Sequence, residues 1–115
     1  MLVYDKAHEL ANEIKNSPEY KVYARLKAVV MADESTKALI KDYKKLQFEA
    51  QAAYLAGNEP PTETMDKVKK LGELLAFNNS VTEFFAAEYK FQTLVGDVYN
   101  ILNSACDLGL DFLKE

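Results

Sequence analysis

The sequence predicts an all-α fold, and three observations support this prediction. Glycine and proline are scarce, at four and three of 115 residues, and Pro18, Gly57, Pro60 and Pro61 fall at the ends of segments. No stretch alternates apolar and polar residues between turn residues, as a half-buried strand would. Apolar residues instead recur at three- and four-residue spacing, which is the helical period. The length and the 49% hydrophobic content fit one helical domain over residues 1–115.

The first two predicted helices occupy the N-terminal quarter of the chain. The first covers about residues 2–16 and carries five apolar residues on one face: Val3, Ala7, Leu10, Ala11 and Ile14. The second begins at Pro18 and runs toward Ala32. Ser17 before Pro18 is the pair expected at the N-cap and the first position of a helix.

The third predicted helix has about twenty residues and is rich in lysine. Asp33 or Ser35 is its expected N-cap, and Gly57 marks its end. Its apolar seam has an alternating four-three spacing that suits coiled-coil-like packing: Leu39, Tyr43, Leu46, Ala50 and Ala53.

Two further helices follow the loop at residues 57–61. Thr62 is the expected N-cap of the fourth, whose apolar positions are Met65, Val68, Leu71 and Leu75. Asn78, Asn79 and Ser80 interrupt the pattern, and the fifth helix is expected from about Ser80 nearly to the end of the chain.

The fifth helix carries the candidate oligomer interface. Its stripe keeps alternating three-four spacing throughout: Val81, Phe84, Glu88, Phe91, Val95, Val98, Leu102, Ala105, Gly109 and Phe112. A helix of about 30 residues is about 45 Å long, whereas a compact chain of this length has a radius of gyration of about 13 Å. Either the chain is a thin hairpin, or other chains cover the apolar flank. The amount of aromatic surface favours a homodimer or larger assembly.

Charge is distributed unevenly along the chain, whose net charge is −4. Residues 1–70 carry 12 basic and 11 acidic side chains, and residues 71–115 carry 2 and 7. The lysine-rich third helix and the acidic fifth helix therefore match electrostatically, within or between subunits.

The lysines have two interpretations. They lie on the third and fourth helices: Lys37, Lys41, Lys44, Lys45, Lys67, Lys69 and Lys70. One interpretation is contact with RNA phosphates. The favoured interpretation is a solvated helix face, because Asp42 and Glu49 interleave and no aromatic stacking motif accompanies the lysines. Nucleic acid is accordingly a disfavoured partner.

Single polar residues give little sign of a chemical site. His8 follows Asp5 by three residues, which resembles half of a helical di-iron motif, but a surface histidine is favoured because the other ligands are missing. Cys106, the only cysteine, is expected to be a buried structural thiol, with ligation of a metal or cluster between subunits as the alternative.

Two positions on the fifth helix stay open. Glu88 interrupts the apolar stripe, so it is expected to be paired (with Arg25 or a lysine), hydrogen-bonded or at a wet edge, with an acid of raised pKa as the functional alternative. Ala105 and Gly109 either allow close approach of another backbone or mark a fraying helix end capped by glycine.

The sequence lacks the motifs of common enzymes. It contains no phosphate-binding glycine loop, no zinc-protease motif and no nucleophile elbow, so we expect a non-enzyme with no catalytic, cofactor or metal residues. No apolar run approaches the roughly 18 residues of a membrane span, and the N-terminus does not read as a signal peptide. A cytoplasmic protein without a membrane partner is expected.

Four short segments together resemble the bacterial YheA/YlbF/YmcA family. They are residues 4–11 (YDKAHELA), 17–20 (SPEY), 88–91 (EYKF) and 106–113 (CDLGLDFL), and the last is similar to the YheA branch in particular. The resemblance covers essentially the whole chain. It implies long antiparallel helices that form an elongated, self-associating bundle or hairpin in the cytoplasm of a Gram-positive bacterium.

The resemblance also bears on function and cofactors. YlbF and YmcA act with a partner on RNA processing, competence, biofilm formation and sporulation. Cysteines near the C-terminus of those branches are linked to an iron–sulfur cluster, for which Cys106 alone cannot supply the ligands. The sequence therefore predicts a non-catalytic helical oligomer that binds itself or another cytoplasmic protein as a regulatory module. The alternative is an RNA-processing-associated adaptor.

Overall fold

The structure is a computed structural model that describes residues 1–107. Over this range it contains five helices and no strand, which confirms the predicted all-α class. The helices are α1 (Leu2–Lys15), α2 (Pro18–Met31), α3 (Glu34–Leu55), α4 (Thr62–Ala76) and α5 (Asn79–Ala105). None of these helices is both long enough and apolar enough to cross a membrane.

The structure divides into two compact units, and the single domain over residues 1–115 stays a prediction. The first, unit 1, combines residues 1–24 with the chain from residue 86 onward. The second, unit 2, consists of residues 25–85. α2 and α5 each contribute to both units, so each unit is described by its own residues.

Local sequence sets most of the helix ends. At the start of α2, the Tyr20 backbone N–H donates to Ser17 Oγ at 3.2 Å, as the Ser17-Pro18 pair predicts. At the end of α3, Gly57 adopts a positive φ of 81° and the Asn58 N–H donates to the Ala53 carbonyl at 2.9 Å. This is a Schellman motif, in which a glycine without a Cβ takes the left-handed conformation.

Two predicted helix ends are wrong. Thr62 is the first residue of α4 rather than its cap, and Pro61 occupies the N-cap position without a side-chain hydrogen bond. α5 ends at Ala105, so the apolar stripe does not continue as helix through Cys106 and Asp107. Gly109 and Phe112 lie outside the described residues.

The core of unit 2 is built from apolar side chains on all four of its helices. Phe84, Ile40 and Val81 are each only 1% exposed. Buried side chains from α2 and α4 complete this core: Leu26, Val30 and Leu75. Burial of this apolar surface is the main stabilising contribution to the unit.

α3 and α4 form a hairpin within unit 2. Their close approach is visible at Gly72, where a Cβ would lie 3.4 Å from the Tyr43 ring. The Tyr43 ring in turn stacks on Phe85 of α5, with ring centres 5.9 Å apart. A small residue on α4 thus makes room for an aromatic residue on α3, which is how helices reach short axial distances.

Unit 1 is held by an aromatic cluster between α2 and α5. The Phe91 ring lies 5.1 Å from that of Tyr20 and 5.2 Å from that of Tyr23, measured between ring centres. Ala87, one turn before Phe91, is also buried. Aromatic contacts at these distances add to the stabilisation that burial alone gives.

Candidate interaction surfaces

α1 presents an apolar face that the described chain covers only in part, since Ile14 is half-buried and the other members are exposed. Every residue from 1 to 13 is exposed, and no residue of α1 is buried. On the apolar face Val3 is 62% exposed and Leu10 is 39% exposed, whereas the opposite face carries Asn12. We call these four residues the α1 apolar face: Val3, Ala7, Leu10 and Ile14.

The second half of α5 carries an open groove in the same unit. The groove holds about 570 Å³ and its apolar lining comes from Leu94, Val98 and Ile101. Charged groups lie at its borders, with Lys90 and Asp97 on α5 and Glu19 on α2. Ile101 is 69% exposed, so much of the groove lining is in contact with solvent. We call it the α5 groove.

The residues of the predicted oligomer interface separate into two groups. Val81 and Phe84 lie in the core of unit 2, so the structure assigns these two side chains to packing within the chain. Toward the C-terminal end of α5, Val95 is 41% exposed and Leu102 is 48% exposed. A contact with a second chain at these later positions stays a prediction.

The remaining described residues of the predicted interface differ in their exposure to solvent. Glu88, Phe91 and Val98 are half-buried, and Phe91 belongs to the aromatic cluster of unit 1. Ala105 is exposed at the last position of α5. The apolar stripe thus passes from buried to exposed along the helix.

His8 and Cys106 are both exposed and belong to no group of three potential metal ligands among residues 1–107, and ligation between subunits stays a prediction. His8 is exposed on α1, as expected of a surface histidine. Cys106 is also exposed, with Sγ 3.6 Å from the Leu102 carbonyl oxygen, so the prediction of a buried thiol is wrong. Among residues 1–107 no three His, Cys, Asp or Glu side chains are grouped to hold a metal. The single thiol does not fit the ligand set of an iron–sulfur cluster.

The lysines of α3 are not equivalent. Lys44 is half-buried, and its Nζ lies 5.9 Å from the centre of the Phe84 ring and 5.8 Å from that of Phe85. Assigning it to a solvated stripe is therefore wrong, because its ammonium group faces two aromatic rings. Lys37, Lys41 and Lys45 are exposed.

Two apolar residues of α3 were not recognised in the sequence. Phe48 is 72% exposed and Leu55 is 77% exposed, on the side of the helix away from buried Ala50. They fall outside the seam that begins at Leu39, so periodicity assigned them no role. The signal that identifies them is their common face with Lys41 and Lys45 at helical spacing.

Together, these features define a small all-α protein whose helices expose apolar faces beside charged ones. The family model described as "Control of competence regulator ComK, YlbF/YmcA" matches residues 3–106. The chain belongs to this family. The finer placement in the YheA branch stays a prediction.

Similar proteins agree with this assignment. A UPF0342 protein of Halothermothrix orenii is 36% identical over 110 residues, covering 96% of this chain and 93% of that protein. A UPF0342 protein of Streptococcus sanguinis is 34% identical over 100 residues, covering 87% and 89%.

Two solved structures share the fold. A protein of unknown function (DUF964) from Bacillus stearothermophilus superposes with a TM-score of 0.73 at 16% identity, covering 91% of this chain and 92% of that one. Bacillus subtilis RicA, solved in complex with RicF, superposes with a TM-score of 0.59 at 19% identity, covering 94% and 96%.

Proposed function

We propose that this protein is a non-catalytic, self-associating adaptor of the cytoplasm, which acts by binding proteins rather than by performing chemistry. The observation that carries the proposal is α1, a 14-residue helix with an apolar face and no buried residue. An isolated helix of this length is marginally stable in water, and most helical stability in proteins comes from packing of the apolar face.

A second copy of the chain can supply the missing cover. The α1 apolar face and the α5 groove belong to the same unit, and both are open to solvent. In a two-fold symmetric dimer, α1 of each copy would fill the α5 groove of the other, so each contact would occur twice. Such an arrangement buries Val3 and Leu10 against Val98 and Ile101.

The family relationship supports a role in protein binding. The description of the matching family names the control of a competence regulator, and the RicA structure contains a second protein, RicF. A helical module that binds a protein partner is consistent with both descriptions. We extend this to the present chain as part of the proposal.

The test introduces a charge into the α1 apolar face. Leu10→Glu places a carboxylate where the dimer would bury a leucine, and an unpaired buried carboxylate is costly. Asn12→Glu is the matched control, because it adds the same charge on the opposite, exposed face of α1. Light scattering during size-exclusion chromatography gives the mass of each variant.

The two variants are expected to differ. Leu10→Glu should elute at the 13.0 kDa of one chain, and Asn12→Glu should keep the mass of the unchanged protein, at least twice that value. Equal masses for the two variants would contradict the role of the α1 apolar face.

A second candidate function is an RNA-processing-associated adaptor like YlbF and YmcA. The observation that favours it is the exposed run of Lys37, Lys41 and Lys45 on α3. Direct binding of a labelled single-stranded RNA should then weaken steeply with added salt, because phosphate contacts release counterions. An RNA that fails to bind at low salt would remove the support for direct RNA contact.

A further inference from the structure

The side of α3 that faces away from its buried residues carries an ordered pattern of charge and apolarity. Three lysines occupy its first half and three apolar residues its second half: Lys37, Lys41, Lys45, Phe48, Ala52 and Leu55. Their spacing of three or four residues keeps them on one stripe of the helix. We call this stripe the outer face of α3.

All six residues of the outer face are exposed. Phe48 and Leu55 are among the most exposed large apolar side chains of the described chain, at 72% and 77%. Single exposed apolar residues are normal on a protein surface. Two of them on one stripe, after a row of lysines, give a surface that is basic at its N-terminal end and apolar at its C-terminal end. Its acidic neighbours are Glu34, one turn before Lys37, and the pair Asp42 and Glu49, which line a groove together with Lys45.

We propose that the outer face of α3 is a docking site for an amphipathic helix of a partner protein. The half of the partner helix that meets Lys37, Lys41 and Lys45 would carry carboxylates. The half that meets Phe48 and Leu55 would carry apolar side chains. Residues 37–55 extend over about 27 Å, which corresponds to about 18 residues of partner helix. Packing of two apolar helix faces supplies affinity, and the ion pairs set the direction of the bound helix.

A helix matches this surface better than a nucleic acid. Residues 25–85 carry nine basic and nine acidic side chains, so unit 2 lacks the net positive charge of a nucleic-acid-binding surface. The outer face contains no arginine, and Phe48 is its one aromatic ring on which a base could stack. The apolar half of the face has no counterpart in a phosphate backbone.

The proposed partner is a different protein rather than a second copy. Unlike surfaces of two copies can meet twice about a two-fold axis, so symmetry alone does not exclude a second copy. The exposed helix that a second copy would offer is α1, and its carboxylates alternate with its apolar residues instead of occupying one half of the helix. The inference rests on the proposed function only in treating the chain as an adaptor. It does not require the chain to self-associate.

The experiment uses the full chain and a designed fluorescent peptide as probe. The peptide is a helix of about 18 residues with glutamates at four-residue spacing in one half and leucines at helical spacing in the other. A counterpart carries lysine in place of each glutamate. Fluorescence anisotropy measures binding of each peptide.

Two pairs of variants test the two halves of the face. The double variant Lys37→Glu with Lys41→Glu should weaken binding of the acidic peptide about tenfold, since two attractions become repulsions. Lys21→Glu with Lys69→Glu is the charge-matched control at exposed positions off the face, and should bind as the unchanged protein does. Phe48→Ser with Leu55→Ser should abolish binding, whereas Phe77→Ser, at a position 88% exposed on another element, should not.

Each alternative result overturns the proposal. It fails if the lysine peptide binds as well as the acidic one, or if the control lysine pair weakens binding as much as the outer-face pair. It also fails if a labelled single-stranded RNA binds through Lys37 and Lys41 while the acidic peptide does not bind. Circular dichroism establishes that each variant is folded.

Light scattering separates this proposal from self-association. Lys37→Glu with Lys41→Glu should leave the mass of the protein unchanged, because the α1 apolar face and the α5 groove lie in unit 1. A loss of mass in this variant would show that the outer face of α3 is a contact between copies, and would overturn its assignment to a different partner.

Discussion

Asp33 shows how one side chain fixes the start of an element. Its carboxylate accepts a hydrogen bond from Thr36 Oγ1 at 2.5 Å and another from the Thr36 backbone N–H at 3.3 Å. The Thr36 side-chain hydrogen bond, followed by the backbone one, holds the pKa of Asp33 below its ordinary value of 3.8. Asp33 therefore ends the loop after α2 and begins α3, as one of the two caps predicted from the sequence.

The lowered pKa of Asp33 predicts a pH-dependent contribution to stability. A carboxyl whose pKa is lower in the folded state stabilises the fold above its unfolded pKa, and this contribution is lost as the pH falls through the folded value. The melting temperatures of the unchanged protein and of Asp33→Ala should show their full difference above pH 3.8. This difference should shrink as the pH falls below 3.8.

Asp33→Asn is the control for that measurement. Asparagine retains an acceptor for the N-cap hydrogen bond but does not titrate in this range. The difference between Asp33→Asn and Asp33→Ala should therefore vary little with pH. A difference between the unchanged protein and Asp33→Ala that stays constant, or grows in acid, would contradict the account of Asp33.

Two residues show the limit of periodicity at this scale. The sequence favours a solvated stripe for Lys44 because acidic residues interleave with the lysines, yet its stem brings the ammonium over the rings of Phe84 and Phe85. Helical spacing cannot show which rings a neighbouring helix will place beneath a long side chain. Cys106 was assigned to the apolar side of α5, but α5 ends at Ala105, so the helical period no longer applies to it.

At the scale of elements, α5 combines a buried and an exposed segment. Its apolar period is regular, and this regularity predicted the helix correctly. The period cannot show which neighbour covers each turn, because that depends on contacts between residues far apart in sequence. The structure covers Val81 and Phe84 in unit 2 and leaves Val95 41% and Leu102 48% exposed.

The contrast between buried and exposed aromatic residues predicts different stabilities. Phe84→Ala removes a side chain that is 1% exposed and should lower the free energy of unfolding by about 3–5 kcal/mol. Phe77→Ala removes a ring that is 88% exposed, and should change it by less than about 0.5 kcal/mol. Urea denaturation at one fixed protein concentration measures both. Similar losses for the two variants would contradict the packing described for unit 2.

At the scale of the whole molecule, the chain carries two kinds of surface. The α1 apolar face and the α5 groove lie in unit 1, and the outer face of α3 lies in unit 2. The sequence predicted the helices and most of their caps, whereas cover of the apolar faces by another chain stays a prediction. It did not predict the outer face of α3, since its residues lie outside the seam that packs the helix. We propose the surfaces of unit 1 for contact between copies and the outer face of α3 for a partner, and a protein with both contacts would act as an adaptor.

Self-association of the chain can be read from the mass of the unchanged protein in solution. Light scattering should be measured at protein concentrations from about 1 to 100 μM, since an association equilibrium depends on concentration. The account predicts a mass of at least twice 13.0 kDa over the upper part of this range. A mass of 13.0 kDa at every concentration would contradict it, because the α1 apolar face would then be stable in contact with water.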